Sequence, residues 1–260
     1  MEEDASLFAV PICTCEKLLL SLIHLQGILW VYLFYGVFTL QTTSSLSSSR
    51  RVAMLGVFTA LAYVATVYGR IPLVSFLKYD PKDIIIVLAG YIYGPIASML
   101  VSVVVSFVEM VTVSDSGIIG FVMNVLSTSA FACPAAWIYR RFRHAYSAAL
   151  GLVVGCVLAT GIMLLWNYVV TPIYMNVSRD AVVGMMSTVF LPFNLIKGGL
   201  NAGFTLLLHK PLLIALQRAH LIPELDEARE AAEAKTGQLV LAIVAIATCI
   251  GFFMACQGII

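Results

Sequence analysis

Asn194, Lys197 and Asn201 stand three and four residues apart in VFLPFNLIKGGLNAGFTLLLHK, so on a helix they project from one stripe. Two amides and a cation on one face can hydrogen-bond a polar solute. Pro192 suits the first turn of that helix, and His209 and Lys210 mark its far interface. At 1.5 Å per residue, Lys197 lies roughly 7 to 8 Å below Pro192, inside an otherwise apolar stretch. A charge at that depth is costly, and such residues commonly serve a ligand or an ion. The plainer reading is that Lys197 snorkels outward while the asparagines bond neighbouring helices.

Weaker candidates surround this stripe. Asn167 and Tyr168 lie in LLWNYVVTPIY, where an aromatic can also simply anchor the interface. Asn124 reads equally as interhelical glue or as a ligand contact, and Glu109 can reach water or pair with a cation. The segment GRIPLVSFLKYDPKDI carries Phe76, Lys78, Tyr79, Asp80, Lys82 and Asp83. It reads either as a lid over a solute site or as a turn in which Asp80-Pro81 starts a helix.

The elements that must hold these residues are transmembrane helices. Of 260 residues, 61% are hydrophobic and only 11% charged, against about a quarter charged in soluble domains. The mean hydropathy is +0.98. A bilayer can accept that much apolar surface, in spans of roughly 20 residues. The sequence predicts spans at 52 to 69, 83 to 100, 97 to 113, 118 to 138, 147 to 170 and 189 to 209, with the second and third meeting at Gly94-Pro95. The fold class is all-α: a polytopic membrane helix bundle with a six-helix core and candidate extra helices at both ends. Residues 1 to 50 form an N-terminal extension with an apolar stretch at 18 to 40, followed by the polar linker TTSSLSSS. Residues 51 to 216 form the core, and 217 to 260 a polar linker and a further apolar stretch at 238 to 257.

Basic residues set the orientation. Alternating spans place Arg50, Arg51, Arg140, Arg141, Arg143, Lys210, Arg218, Arg229 and Lys235 on one side, whereas only Arg70, Lys78, Lys82 and Arg179 lie on the other. By the positive-inside rule, loop 140 to 144 is cytoplasmic and loop 70 to 82 external.

Several function classes fall away. The net charge of +1 and the lack of a large basic cluster argue against nucleic acid. Cys133, Cys156, Cys249 and Cys256 sit in apolar stretches as small hydrophobes, and Cys13 and Cys15 have no second pair at a zinc spacing, so no metal is expected. The sequence contains no GxxxxGK[ST], HExxH or GxSxG, which argues against ATP hydrolysis by this chain and against an enzyme. Two matched halves with broken helices, the mark of many self-contained transporters, are not evident.

Four motifs carry a family resemblance: LKYDPKDI, GYIYGP, NYVVTPIY and, most specifically, PFNLIKGGLNA. Over roughly Arg51 to Leu216 the chain resembles the riboflavin-binding S components of energy-coupling factor (ECF) vitamin transporters. The resemblance implies a plasma-membrane substrate-binding subunit that works with a transmembrane coupling protein and two cytoplasmic ATPases. It implies an external pocket closed by the first loop, with Asn194, Lys197, Asn201, Asn167, Lys78 and Asp80 at the ligand. Riboflavin would be the transported ligand, and no cofactor is expected.

Riboflavin has a planar apolar ring with a mixed donor and acceptor edge. Asparagine can pair with that edge, lysine can donate to its oxygens, and Phe121, Tyr168 and Phe193 could pack on the ring. The resemblance further implies an AxxxA coupling face in the first helix. Gly56 and Ala60, with Ala53 nearly on the same side, fit such a face, although glycine replaces the first alanine and the same stripe could pack inside the bundle. Rival readings are an S component for thiamine, folate or biotin, and a structural or assembly membrane protein.

Overall fold

Gly94 and Pro95 divide the long apolar run after the first loop, and that break sets the architecture. Gly94 takes a φ of 102°, in the region glycine favours, and its N–H closes on the Gly90 carbonyl at 2.7 Å. Pro95 then occupies the first turn of the next helix, where a missing N–H costs nothing. The computed structural model describes residues 48–74, 77–114, 116–142, 146–221, 242–243 and 245–249.

Helix α1 (Ser48–Gly69) leads into an antiparallel hairpin of β1 (Ile71–Val74) and β2 (Leu77–Tyr79), in which Ile71 pairs with Tyr79 and Pro72 with Lys78. Then come α2 (Lys82–Tyr93), α3 (Pro95–Thr112), α4 (Gly117–Phe142) and α5 (Ser147–Met175). A short α6 (Arg179–Met185), a π-helical turn at Met186–Phe190 and α7 (Leu191–Arg218) complete the core. The Ser178 side chain caps α6 by accepting from the Ala181 N–H.

The span expected at 83 to 100 is therefore corrected: the helix ends at Tyr93, because Gly94 and Pro95 stop it. With 12 residues, α2 is about 18 Å long, short of the roughly 30 Å of a hydrocarbon core. It is buried on nearly every side, packed among α1, α3, α4 and α7, as a helix that is apolar all round must be. Five described segments are long and apolar enough to cross a bilayer: Ser49–Gly69, Pro95–Thr112, Gly117–Phe142, Ser147–Ile173 and Arg179–Arg218.

Close approach of α4 and α5 depends on two glycines one turn apart. A Cβ at Gly151 would meet the Ala135 carbonyl oxygen at 2.8 Å, and one at Gly155 would collide with the Phe131 carbonyl. Small residues of this kind let membrane helices pack backbone to backbone. On α1, Met54, Phe58 and Ala62 face the core, while Ala53, Gly56 and Ala60 are exposed.

The two ends of the bundle differ in charge. Arg51 donates to the Tyr93 carbonyl at 3.2 Å, Arg50 donates to that of His220, and the Arg140 guanidinium packs on Gly94. These basic groups share one end, while the hairpin lies at the other, as the positive-inside reading requires. At that basic end His209 is buried among the helices and hydrogen-bonded to the Tyr139 hydroxyl at 3.0 Å.

Of the apolar stretch expected at 238 to 257, the described residues are helical and lie on α7, with Ile246 against Gly203 and Cys249 against Gly199. The expected helix at 18 to 40, the linker after it and the charged segment at 224 to 235 lie outside the described residues.

Candidate ligand-binding site

At the hairpin end, the bundle encloses a cavity of about 300 Å³, at the small end of ligand pockets. Helices α3, α4, α5 and α7 wall it together with the hairpin. The start of α4 supplies Met123, Asn124 and Ser127, and the outer part of α5 supplies Met163, Trp166, Asn167, Val170 and Thr171. The start of α7 supplies Phe193, Asn194 and Lys197. Lys78, Asp80, Arg70 and Glu109 line the hairpin side.

Two charged clusters frame the cavity. In the first, Arg70 Nε donates to Asp80 at 2.7 Å and its guanidinium also pairs with Glu109. Lys82, completely buried, pairs with Glu109 and lies 3.9 Å from Asp80. In the second, Asp83 accepts from Thr128 at 2.6 Å and from Asn201 at 3.0 Å, and pairs with Lys197 at 3.3 Å. Arg70, Lys82 and Lys197 thus face Asp80, Asp83 and Glu109, a balanced set. Buried charges are tolerable only when paired and hydrogen-bonded in this way.

The loop groups show the effect of that pairing. Burial opposes the charge on Asp80, but Lys82, Arg70 and Lys197 outweigh it and hold its carboxyl below the usual 3.8. Burial likewise opposes the Arg70 charge, and Asp80 with Glu109 raises its pKa above the ordinary value. Burial, then Asp83 and Asp80, push the Tyr79 hydroxyl upward, so it stays neutral.

Residues 50–209, well over half of the chain, match the family described as ECF transporter, substrate-specific component. The chain belongs to this family. The S component is similar to the riboflavin transporter FmnP of Bacillus subtilis strain 168, with 29% identity over 48% of this chain and 70% of the relative. The riboflavin transporter RibU of Staphylococcus aureus strain TCH60 is 27% identical over 67% of this chain and 96% of the relative. A solved structure, described as the S component of a bacterial ECF transporter, superposes with a TM-score of 0.56 at 25% identity, covering 65% of this chain and 99% of that one. The five long apolar segments and the family together make this a multi-pass protein of the cell membrane.

Within this S component, eight of the residues singled out from sequence reach the cavity wall: Asn194, Lys197, Phe193, Asn167, Asn124, Lys78, Asp80 and Glu109. Asn194 donates to the Phe190 carbonyl at 2.8 Å, which leaves its side-chain oxygen as an acceptor. Asn167 is engaged within α5, donating to Met163 at 2.8 Å and accepting from Thr171 at 2.9 Å.

Asn201 and Tyr168 do not line the cavity. From Asn194 to Asn201 the stripe descends roughly 10 Å, so its last member falls below the cavity floor and turns to Asp83. On α5, Trp166 lines the wall that Tyr168 was expected to supply. Phe193 lines the cavity, whereas Phe121 stacks edge-on against Phe107.

Sequence reasoning missed Arg70, Trp166 and the roles of Lys82 and Asp83. An acid in the first turn of an otherwise apolar helix was the available signal for Asp83. Its partner Asn201 lies 118 residues away, so spacing along the chain could not reveal the contact. Among the described residues, no group of His, Cys, Asp or Glu could hold a metal ion.

Proposed function

We propose that this S component captures riboflavin at the outer face of the cell membrane and delivers it for import. Its partners in this reading are a transmembrane coupling protein and two cytoplasmic ATPases, since the chain carries no phosphate-binding loop of its own. The observation that carries the proposal is a cavity framed by paired charges, with aromatic and methionine side chains in its wall and a polar end at Asn194 and Lys197, in a chain similar to two riboflavin transporters.

The chemistry fits a neutral, planar ligand. Trp166 and Phe193 offer aromatic faces, and Met123 and Met163 adapt to a ring edge. Asn194 can accept from a ring N–H, while Lys197 donates to a carbonyl without needing an anionic partner. Lys78, Asp80 and Ser116 are polar wall groups suited to a hydroxylated tail. The exposed stripe of Ala53, Gly56 and Ala60 is the face assigned to the coupling protein. A Cβ at Gly56 would meet nothing within 4 Å, so among the described residues this stripe does not pack within the bundle.

Protein purified in detergent from riboflavin-containing medium tests the reading. The expected result is a flavin absorption spectrum and release of riboflavin on denaturation. Release of thiamine, folate or biotin instead would assign another vitamin, and a colourless protein that no riboflavin addition alters would reject the proposal.

A further inference from the structure

We propose that Asp83 is a positioning residue for the ligand, acting through Lys197; this rests on the riboflavin reading above. The Asp83 side chain is 2% exposed and is not part of the cavity wall, so it does not touch a ligand there. Lys197 does line the cavity, with its side chain 13% exposed. Its ammonium has three N–H donors on a flexible four-carbon stem. Asp83 takes one donor at 3.3 Å and leaves the others available to the cavity.

The anchor is itself fixed. Thr128 from α4 and Asn201 from α7 donate to opposite oxygens of Asp83, at 2.6 and 3.0 Å, so the carboxylate cannot rotate without losing one of them. Lys197 is thereby held at one place and direction, which lowers the ordering cost of ligand binding. The pairing also cancels its charge. At this point the wall presents N–H donors whose positive charge is already paired, which suits a ring carbonyl better than a carboxylate or phosphate. Asn201, in the same stripe as Lys197, thus acts two steps from the ligand: it orients Asp83, and Asp83 orients Lys197.

A double-mutant cycle on the purified full-length protein tests this, using Asp83→Asn, Lys197→Met and the pair together. Riboflavin affinity and melting of the ligand-free protein are both measured. Each single change should weaken riboflavin by about fivefold or more, and the double variant should be no weaker than the worse single one. In ligand-free melts each single variant should fall, and the double should recover toward wild type because no uncompensated charge remains. Recovery of melting without recovery of binding separates positioning from mere support of the fold. Thr128→Val, which loosens Asp83 without leaving an unpaired charge, serves if Asp83→Asn fails to fold, and it too should weaken riboflavin.

Riboflavin affinity within about twofold of wild type in Asp83→Asn, or in Thr128→Val where that variant stands in, would overturn the proposal, as would losses that multiply in the double variant. Wild-type protein that binds no riboflavin would instead reject the riboflavin reading. The ligand-free melts would then decide alone: recovery in the double variant supports an Asp83 that holds Lys197, and additive losses reject it.

Discussion

Lys82 and Asp83 are consecutive at the start of α2, yet they serve different charged clusters. Lys82 meets Glu109 of α3 and Asp80 of the hairpin end, while Asp83 meets Lys197 of α7 and Thr128 of α4. Neighbouring helical positions point about 100° apart, so a single turn can reach both sides. Asp83 also lies in the first turn, where the helix dipole favours a negative charge. The short α2 thus ties the hairpin end to the floor of the cavity.

Glu109 is the shared acceptor of the hairpin cluster. Glu109→Gln leaves the completely buried Lys82 and the half-buried Arg70 short of a countercharge. Breaking a buried pair from one side costs about 3 to 5 kcal/mol, so melting of the ligand-free protein should fall sharply. Adding Lys82→Met should recover much of the loss. A single variant that melts like wild type would contradict this account of the cluster.

Asp80 gives a pH signature. Against the opposing effect of burial, its folded pKa is lowered by Lys82, Arg70 and Lys197, so its contribution is fully present above the ordinary value of 3.8. That contribution is lost as pH falls through the lower folded value. Asp80→Asn should therefore melt below wild type at pH 7, with the gap closing only under acid conditions below about pH 4. A gap that stayed constant into acid, or widened there, would rule out this electrostatic origin.

The exposed face of α1 separates transport from binding. Gly56→Leu with Ala60→Leu adds side chains where the bundle leaves room, so the protein should fold and bind riboflavin normally. Uptake by cells should be lost, because a bulky side chain blocks close approach of a partner helix. Surviving uptake, or binding lost along with it, would show that the coupling face lies elsewhere.

What the sequence displayed depended on whether a residue's meaning was local. Lys197 and Asn194 stood out because a cation and an amide are rare in an apolar run, and both reach the cavity. Gly94-Pro95 marked a break by composition, but the expected span ran past it, since apolarity continues on both sides while the backbone turns. Asn201 shared the stripe of Lys197, yet depth along the helix, not face, decided that it would meet Asp83. The charged loop read equally as lid or turn, because ion pairs such as Arg70 with Glu109 join residues from separate elements. Contacts of that kind exist only once the helices are packed.

Equilibrium titration of the purified S component with riboflavin tests the central claim most directly, followed by the quenching of flavin fluorescence. Wild-type protein should bind riboflavin tightly and saturably, and should bind thiamine and biotin far more weakly. Losing a hydrogen bond in a dry pocket costs about 1 to 3 kcal/mol, so Asn194→Leu and Lys197→Met should each weaken riboflavin roughly 5- to 150-fold. Leu195→Ala, on the partly exposed opposite face of α7, should change it little. Wild-type affinity in both cavity variants, or no saturable riboflavin binding by the wild-type protein, would contradict the account.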